Sequence, residues 1–170
     1  MVRCFIAIYP IKSEKVYKIQ EEISKIIDGK EVEKGNIHIT LSFLGEKNEI
    51  DLTDIIKKME EVSQMCRKRV AILKRIKLIP NERFFRVIAI DVAGLDDLSD
   101  IVKRKIGGDV KPPHLTLFRV KNVKDKVKLL ELSKVEINDE ILVDKICLMK
   151  STLTPKGPIY EVLDVFELTS

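Results

Sequence analysis

Tryptophan is absent from this 170-residue chain, and histidine and glutamine occur only twice each, as His38 and His114 and as Gln20 and Gln64. The three cysteines, Cys4, Cys66 and Cys147, lie far apart and form no C-x-x-C. That spacing offers neither a zinc site nor an even set for a disulfide framework. Cys4 and Cys147 sit in apolar runs and read as small buried hydrophobes. No apolar run reaches the ~18 residues of a membrane span. The first apolar run is short and leads into an amphipathic stretch, unlike a secretory signal. These absences point to a soluble, cytoplasmic protein with no membrane partner.

What is present is an ordinary apolar fraction, 45%, beside 34% charged residues and a net charge of +4. The apolar share supports a real core and excludes disorder. Abundant Lys and Glu with few amides resemble proteins from hot environments. The mild positive excess suits an anionic ligand and is too small for a nucleic-acid-coating protein. Basic residues bunch at Arg67–Arg69, at Lys74, Arg75 and Lys77, and at Lys103–Lys105. Such clusters are solvated faces or a rim that draws RNA to a cleft.

Along the chain, hydrophobic periodicity predicts a strand over residues 3–9, ended by Pro10. A Ser13-capped helix follows, carrying Val16, Ile19, Ile23, Ile26 and Ile27 and stopped by Asp28-Gly29. A strand over 36–44, a helix through Leu52 to Val62 and a strand over 70–79 come next. The order then restarts: a strand over 84–92, a helix through Leu95 to Ile106 stopped by Gly107-Gly108, a strand over 114–120, a helix over 123–132 and a strand over 141–153. A turn at 155–158 leads to a last strand, 159–168. The repeated order indicates an internal duplication. The chain reads as a single two-lobed domain, 1–170, with repeat units of about 1–80 and 83–153. The cleft between two such lobes is a usual place for a ligand.

Both histidines open the same pattern, His-x-Thr-Leu, in "NIHITLSFLG" and "PHLTLFRV". Strand alternation places His38, Thr40 and Ser42 on one face, and His114 with Thr116 on the matching face of the second repeat. Two imidazoles over one cleft can divide the labour of in-line phosphodiester cleavage, one accepting a proton and the other donating one. Threonine hydroxyls can donate to the non-bridging oxygens, where charge builds. Two histidines without adjacent Cys or Asp are too few for a metal site. No nucleophile elbow or Cys–His pair is visible. The residues alone leave open which histidine is acid and which is base.

These motifs resemble the paired His-x-Thr/Ser motifs of the two-histidine phosphoesterase superfamily, most closely its RNA 2′,3′-cyclic phosphodiesterase (2′-5′ RNA ligase) branch. The opening "RCFIAI" and the closing "STLTPKGPIYEVLDVFEL" are similar to the family's end segments. The resemblance implies an α+β, bilobal, pseudo-two-fold fold with antiparallel sheets lining a central cleft and helices outside. It implies hydrolysis of RNA or nucleotide 2′,3′-cyclic phosphates to 2′-phosphates, without metal or other cofactor, and reversible 2′-5′ ligation. The two lobes already supply both half-sites, so a monomer is expected. His38 would be the proton donor and His114 the acceptor, while Thr40, Thr116 and Arg119 would bind phosphate. Strict alternation sets Arg119 on the face away from His114, so the strand must bulge or end before it. Many relatives carry a Trp shortly before the first motif, where this chain has Val32. Base contacts then fall to Phe5, Phe118 or Tyr160, although core packing suits the two phenylalanines better. The rival readings are a phosphodiesterase for 2′-5′ oligoadenylate or ADP-ribose cyclic phosphate, and a non-catalytic RNA-binding module.

Overall fold

The computed structural model describes all residues, Met1–Ser170. In chain order the elements are β1 (Val2–Ile8), α1 (Glu14–Ser24), β2 (Ile27–Glu31), a 3₁₀ turn (Lys34–Asn36), β3 (Ile39–Lys47), α2 (Glu49–Met65), β4 (Arg69–Pro80), β5 (Phe85–Ala93), α3 (Asp96–Lys105), β6 (His114–Val123), α4 (Lys126–Ser133), β7 (Asp139–Val143), β8 (Lys145–Thr154) and β9 (Gly157–Glu167). The strands are ordered β7-β4-β5-β6-β3-β1-β8-β9, and every pairing between them is antiparallel. Two groups are evident. β3, β1, β8 and β9 form one, and β6, β5, β4 and β7 form the other. They meet at one residue pair, Ile39 opposite Leu115, and β2 adds to the free side of β6. The α+β fold, with antiparallel strands lining a cleft, is the one expected.

The helices form where the apolar periodicity places them. The Ser13 hydroxyl accepts from the Val16 amide at 3.2 Å and caps α1, and the Asn48 side chain caps α2 through the Asp51 amide at 2.8 Å. Each helix buries one stripe: Val16 and Ile23 on α1, Ile55, Met59 and Val62 on α2, Leu98 and Val102 on α3, Leu129 on α4. These join Ile6, Ile39, Leu41, Ile88, Ile90, Leu115 and Leu117 in one continuous core on the side of the strands away from the cleft. A smaller apolar cluster of Phe5, Ala7, Cys147 and Met149 covers the cleft side of β1 and β8. No helix is long and apolar enough to cross a membrane. The ion pairs are eight separate two-residue contacts, mostly exposed, with no shared member. They are therefore not the networks that add most to heat resistance.

Three segments depart from the reading of the sequence. Asp28-Gly29 does not simply stop a helix. α1 ends at Ser24, and Asp28 and Gly29 lie within β2. Gly29 is required there by close approach, since a Cβ would overlap the Arg119 carbonyl oxygen. The single strand expected over 141–153 is two strands broken at Asp144. β7 pairs with β4 and β8 with β1, in opposite groups. Val123 ends β6 rather than starting a helix. The groups also draw on both halves of the chain. β4 from the first half pairs with β5, and β8 from the second returns to β1, so the element order repeats while the lobes interchange their last strands.

Gly29→Ala is expected to cost about 1–3 kcal/mol, the range for forcing extra volume into a packed site. Gly35, whose Cβ would meet nothing within 4 Å, supplies the control: Gly35→Ala should stay within about 0.5 kcal/mol of wild type in urea melts.

Candidate active site

The two histidine strands are bulged at equivalent places. In β3, Thr40 lies opposite Ala7 and Ser42 opposite Ile6, so Leu41 is an extra residue. In β6, Thr116 lies opposite Ala89 and Phe118 opposite Ile88, so Leu117 is extra. A bulge turns the following residues to the other face. Ser42 therefore leaves the His-Thr face where alternation put it. It is buried, and its hydroxyl donates to the Gly107 carbonyl at 2.7 Å. Arg119, opposite Val87, comes onto the face of His114 and Thr116. The bulge is the irregularity that its expected phosphate role demanded. Phe43, opposite Phe5, occupies the same place in β3 that Arg119 holds in β6.

His38, Thr40, His114, Thr116 and Arg119 all line one cleft of about 460 Å³. His38 donates from Nδ1 to the Asn36 carbonyl oxygen at 2.8 Å, and His114 donates from Nδ1 to that of Pro112 at 2.9 Å. A carbonyl cannot donate, so both rings carry hydrogen on Nδ1, and Nε2 is the nitrogen left for chemistry. His38 Nε2 meets Thr40 Oγ1 at 2.9 Å. Asn36 is held in turn by its side-chain amide, which donates to the Pro158 carbonyl at 3.4 Å. The backbone of Phe43 is clipped to Asp109 by two hydrogen bonds, of 3.0 and 2.8 Å. The loop before His114 is thereby tied to β3. Gly108 has φ +88°, and a Cβ on it would overlap Ser42, so this contact needs glycine.

Aromatic rings wall the His38 side. Phe5 and Tyr160 have ring centroids 5.2 and 5.1 Å from the imidazole, and they lie 5.2 Å from each other. Burial pushes the His38 pKa below its ordinary 6.5. The Asn36 carbonyl opposes that shift, and the charge of His114 adds to it. Burial likewise raises the Tyr160 phenol, against the pull of Arg119 and Arg3, so Tyr160 keeps its proton as a donor.

Of the aromatic residues considered for base contacts, Phe118 is buried in the main core and does not reach the cleft, while Phe5 and Tyr160 line it. Reading the sequence by strict alternation missed Phe43. Aligning the repeats beyond the threonines, as His-x-Thr-x-x-Phe with His-x-Thr-x-x-Arg, is the signal that would have found it. The basic clusters singled out in the sequence do not line the cleft. Arg69 and Arg75 pair with Asp97 and Glu136, and Lys103–Lys105 form the last turn of α3, where cations suit the helix dipole. The cleft cations are Arg3, Lys30, Arg119 and Lys156, scattered along the chain. No group of three or more His, Cys, Asp or Glu side chains converges anywhere as a metal ligand set.

Comparison with known proteins agrees with this geometry. A family model described as LigT like phosphoesterase matches residues 8–89 and 92–160. A protein of Aquifex aeolicus named RNA 2′,3′-cyclic phosphodiesterase is 33% identical over 186 residues, covering 99% of this chain and 98% of its own. One of the same name from Methanocaldococcus jannaschii is 38% identical over 162 residues, covering 88% and 90%. A crystal structure from Thermus thermophilus superposes with a TM-score of 0.85 at 25% identity, covering 98% and 97%. E. coli LigT, solved in complex with ATP, shares the fold with a TM-score of 0.75 at 21% identity, covering 99% and 98%. Two histidine strands bulged alike over one cleft, with identity sustained along nearly the whole chain, have one common account: this chain belongs to the LigT-like phosphoesterase family.

Proposed function

We propose that the protein hydrolyses the 2′,3′-cyclic phosphate of an RNA end or nucleotide to a 2′-phosphate, with His38 and His114 as the acid–base pair. The observation that carries this reading is the matched tethering of the two imidazoles. Each Nδ1 is committed to a carbonyl two residues back, and each ring lines the same cleft beside a threonine. The names of the relatives from Aquifex aeolicus and Methanocaldococcus jannaschii support the substrate class.

In the proposed reaction His114 Nε2 takes a proton from water, whose oxygen attacks phosphorus. The bond from phosphorus to the 3′ oxygen breaks, and His38 Nε2 gives its proton to that oxygen. The histidines then exchange protons with solvent to reset. The bond that orients His114 is solvent exposed, which suits a base that must meet water, while that of His38 is partly buried. His38 stands against Phe5 and Tyr160, a wall suited to the ribose and base of the leaving side. Its depressed pKa makes its charged form a stronger acid, and a bound phosphate anion restores the proton that burial disfavours. Thr40, Thr116 and Arg119 hold the non-bridging oxygens, where hydrogen bonds to developing charge lower the barrier. With a 5′-hydroxyl in place of water the same step joins two RNA ends: His114 takes the hydroxyl proton, the 5′ oxygen bonds to phosphorus, and the 3′ oxygen leaves with the proton from His38, giving a 2′-5′ linkage. Both histidine motifs come from one chain, so the site needs no second copy, and the protein acts as a cytoplasmic monomer.

The reading is tested by turnover of 2′,3′-cyclic AMP in EDTA with identification of the product isomer. Wild type should give the 2′-phosphate. His38→Ala and His114→Ala should each lose about 10²- to 10⁴-fold in kcat, with melting curves close to wild type. Absence of turnover by folded wild-type protein on any cyclic end would overturn it.

A second expectation concerns protonation. The His38 ring should titrate below pH 6.5 in the free protein when followed by NMR. Addition of 2′-AMP should move the midpoint upward, because an anion beside the ring favours the imidazolium. A midpoint unmoved by 2′-AMP would place the phosphate away from His38.

A further inference from the structure

Lys30 and Lys156 stand in the cleft beside the five residues already described and have no task in the chemistry. Lys30 lies opposite Arg119 in the pairing of β2 with β6, so the two side chains leave the ladder on the same face. The Lys30 side chain reaches to the β8–β9 turn. A Cβ on Gly157 would lie 2.5 Å from its Nζ and 3.0 Å from its Cε. Lys156 is the neighbour of Gly157 on that turn and lines the same cleft. Glu31 and Glu33 also line it, yet neither lysine has a carboxylate within the 4.0 Å of an ion pair. Nearby lysines do: Lys124 meets Asp28 at 3.3 Å and Lys150 meets Glu161 at 4.0 Å. Two unneutralised ammonium groups brought to one turn repel each other unless an anion joins them.

The terminal phosphate already has Arg119 and the two threonines. Phe5 and Tyr160 stand against His38, and Arg3, which faces Glu46 across the strands, also forms no ion pair within 4.0 Å. Lys30 and Lys156 are the two cleft cations that converge on one turn, outside the groups assigned to the terminal phosphate. An RNA chain carries a second anion one nucleotide upstream of its cyclic end, and a free cyclic mononucleotide does not. We propose that Lys30 and Lys156 form a subsite for that internucleotide phosphate, so that the protein favours RNA chain ends over cyclic mononucleotides without regard to base. The inference rests on the cyclic phosphodiesterase reading above. Phosphate contacts position a strand and carry no sequence information, which is why the preference is for chain and not for base.

The test compares three substrates: 2′,3′-cyclic AMP, the dinucleotide ApA ending in a 2′,3′-cyclic phosphate, and the same dinucleotide with an uncharged methylphosphonate linkage. Wild-type kcat/KM should be on the order of tenfold higher on the charged dinucleotide than on the other two, the scale of one charge-assisted hydrogen bond. Lys30→Met and Lys156→Met should each lose most of that advantage and stay within about twofold of wild type on 2′,3′-cyclic AMP. The steeper salt dependence of the charged dinucleotide should fall with it. Equal wild-type rates on charged and uncharged dinucleotides would overturn the subsite, as would variants that lose rate equally on all three. Binding of 2′-AMP and of ApA 2′-phosphate to His114→Ala protein makes the same comparison without turnover. If no cyclic end is hydrolysed but lysine-dependent preference for the dinucleotide persists, the phosphodiesterase reading fails and the subsite stands. If neither hydrolysis nor preference appears, both fail.

Discussion

One inserted residue in each histidine strand, Leu41 in β3 and Leu117 in β6, governs what the cleft contains. Without them, pleat alternation would bury Phe43 and Arg119 and bring Ser42 and Phe118 to the cleft. The leucines can be inserted because both end in the core, where each is about fully buried. The cost of the broken ladder is offset by apolar burial on one side, and the gain is a re-aimed side chain on the other. Ser42, turned inward, becomes the anchor for Gly107, and through that loop β3 helps position His114. A single irregularity thus links core packing, loop attachment and the composition of the cleft.

The same device, used twice, gives different results. Phe43 in the first repeat and Arg119 in the second occupy matching positions, one apolar and one cationic. At these matching positions the cleft is consequently lopsided, with rings around His38 and a guanidinium on the strand of His114. The lopsidedness reaches the imidazoles. Both are tethered alike through Nδ1, but His38 is packed between Phe5 and Tyr160, and burial lowers its pKa. Two chemically identical groups on a pseudo-symmetric frame are thereby made unequal, and unequal partners are what an acid–base pair requires.

The interchange of last strands between lobes has a mechanical consequence. β8 returns to β1 and places the β8–β9 turn over the cleft, where Pro158 holds Asn36 and Gly157 receives Lys30. Asn36 in turn orients His38. The chain's last hairpin therefore supports a catalytic candidate more than a hundred residues earlier. A lobe built from one half of the chain alone would lack this brace.

The chain's own pattern was enough to place the core-facing helices, the Ser13 cap and most strands, because each depends on neighbours a few residues away. It was also enough to single out His38, Thr40, His114 and Thr116, because the motif is short, doubled and in register. β2 escaped, since Asp28-Gly29 looks like a helix stop until β6 is beside it and the missing Cβ is seen to admit the Arg119 carbonyl. The break at Asp144 escaped because an apolar run does not say that its two parts pair with different partners. Phe43, Ser42 and the cleft cations Arg3, Lys30 and Lys156 were likewise decided only by tertiary structure, as was the turn that brings Arg119 to the face of His114. A bulge is a relation between two strands, and convergence of residues 3, 30, 119 and 156 exists only once the sheet has been assembled.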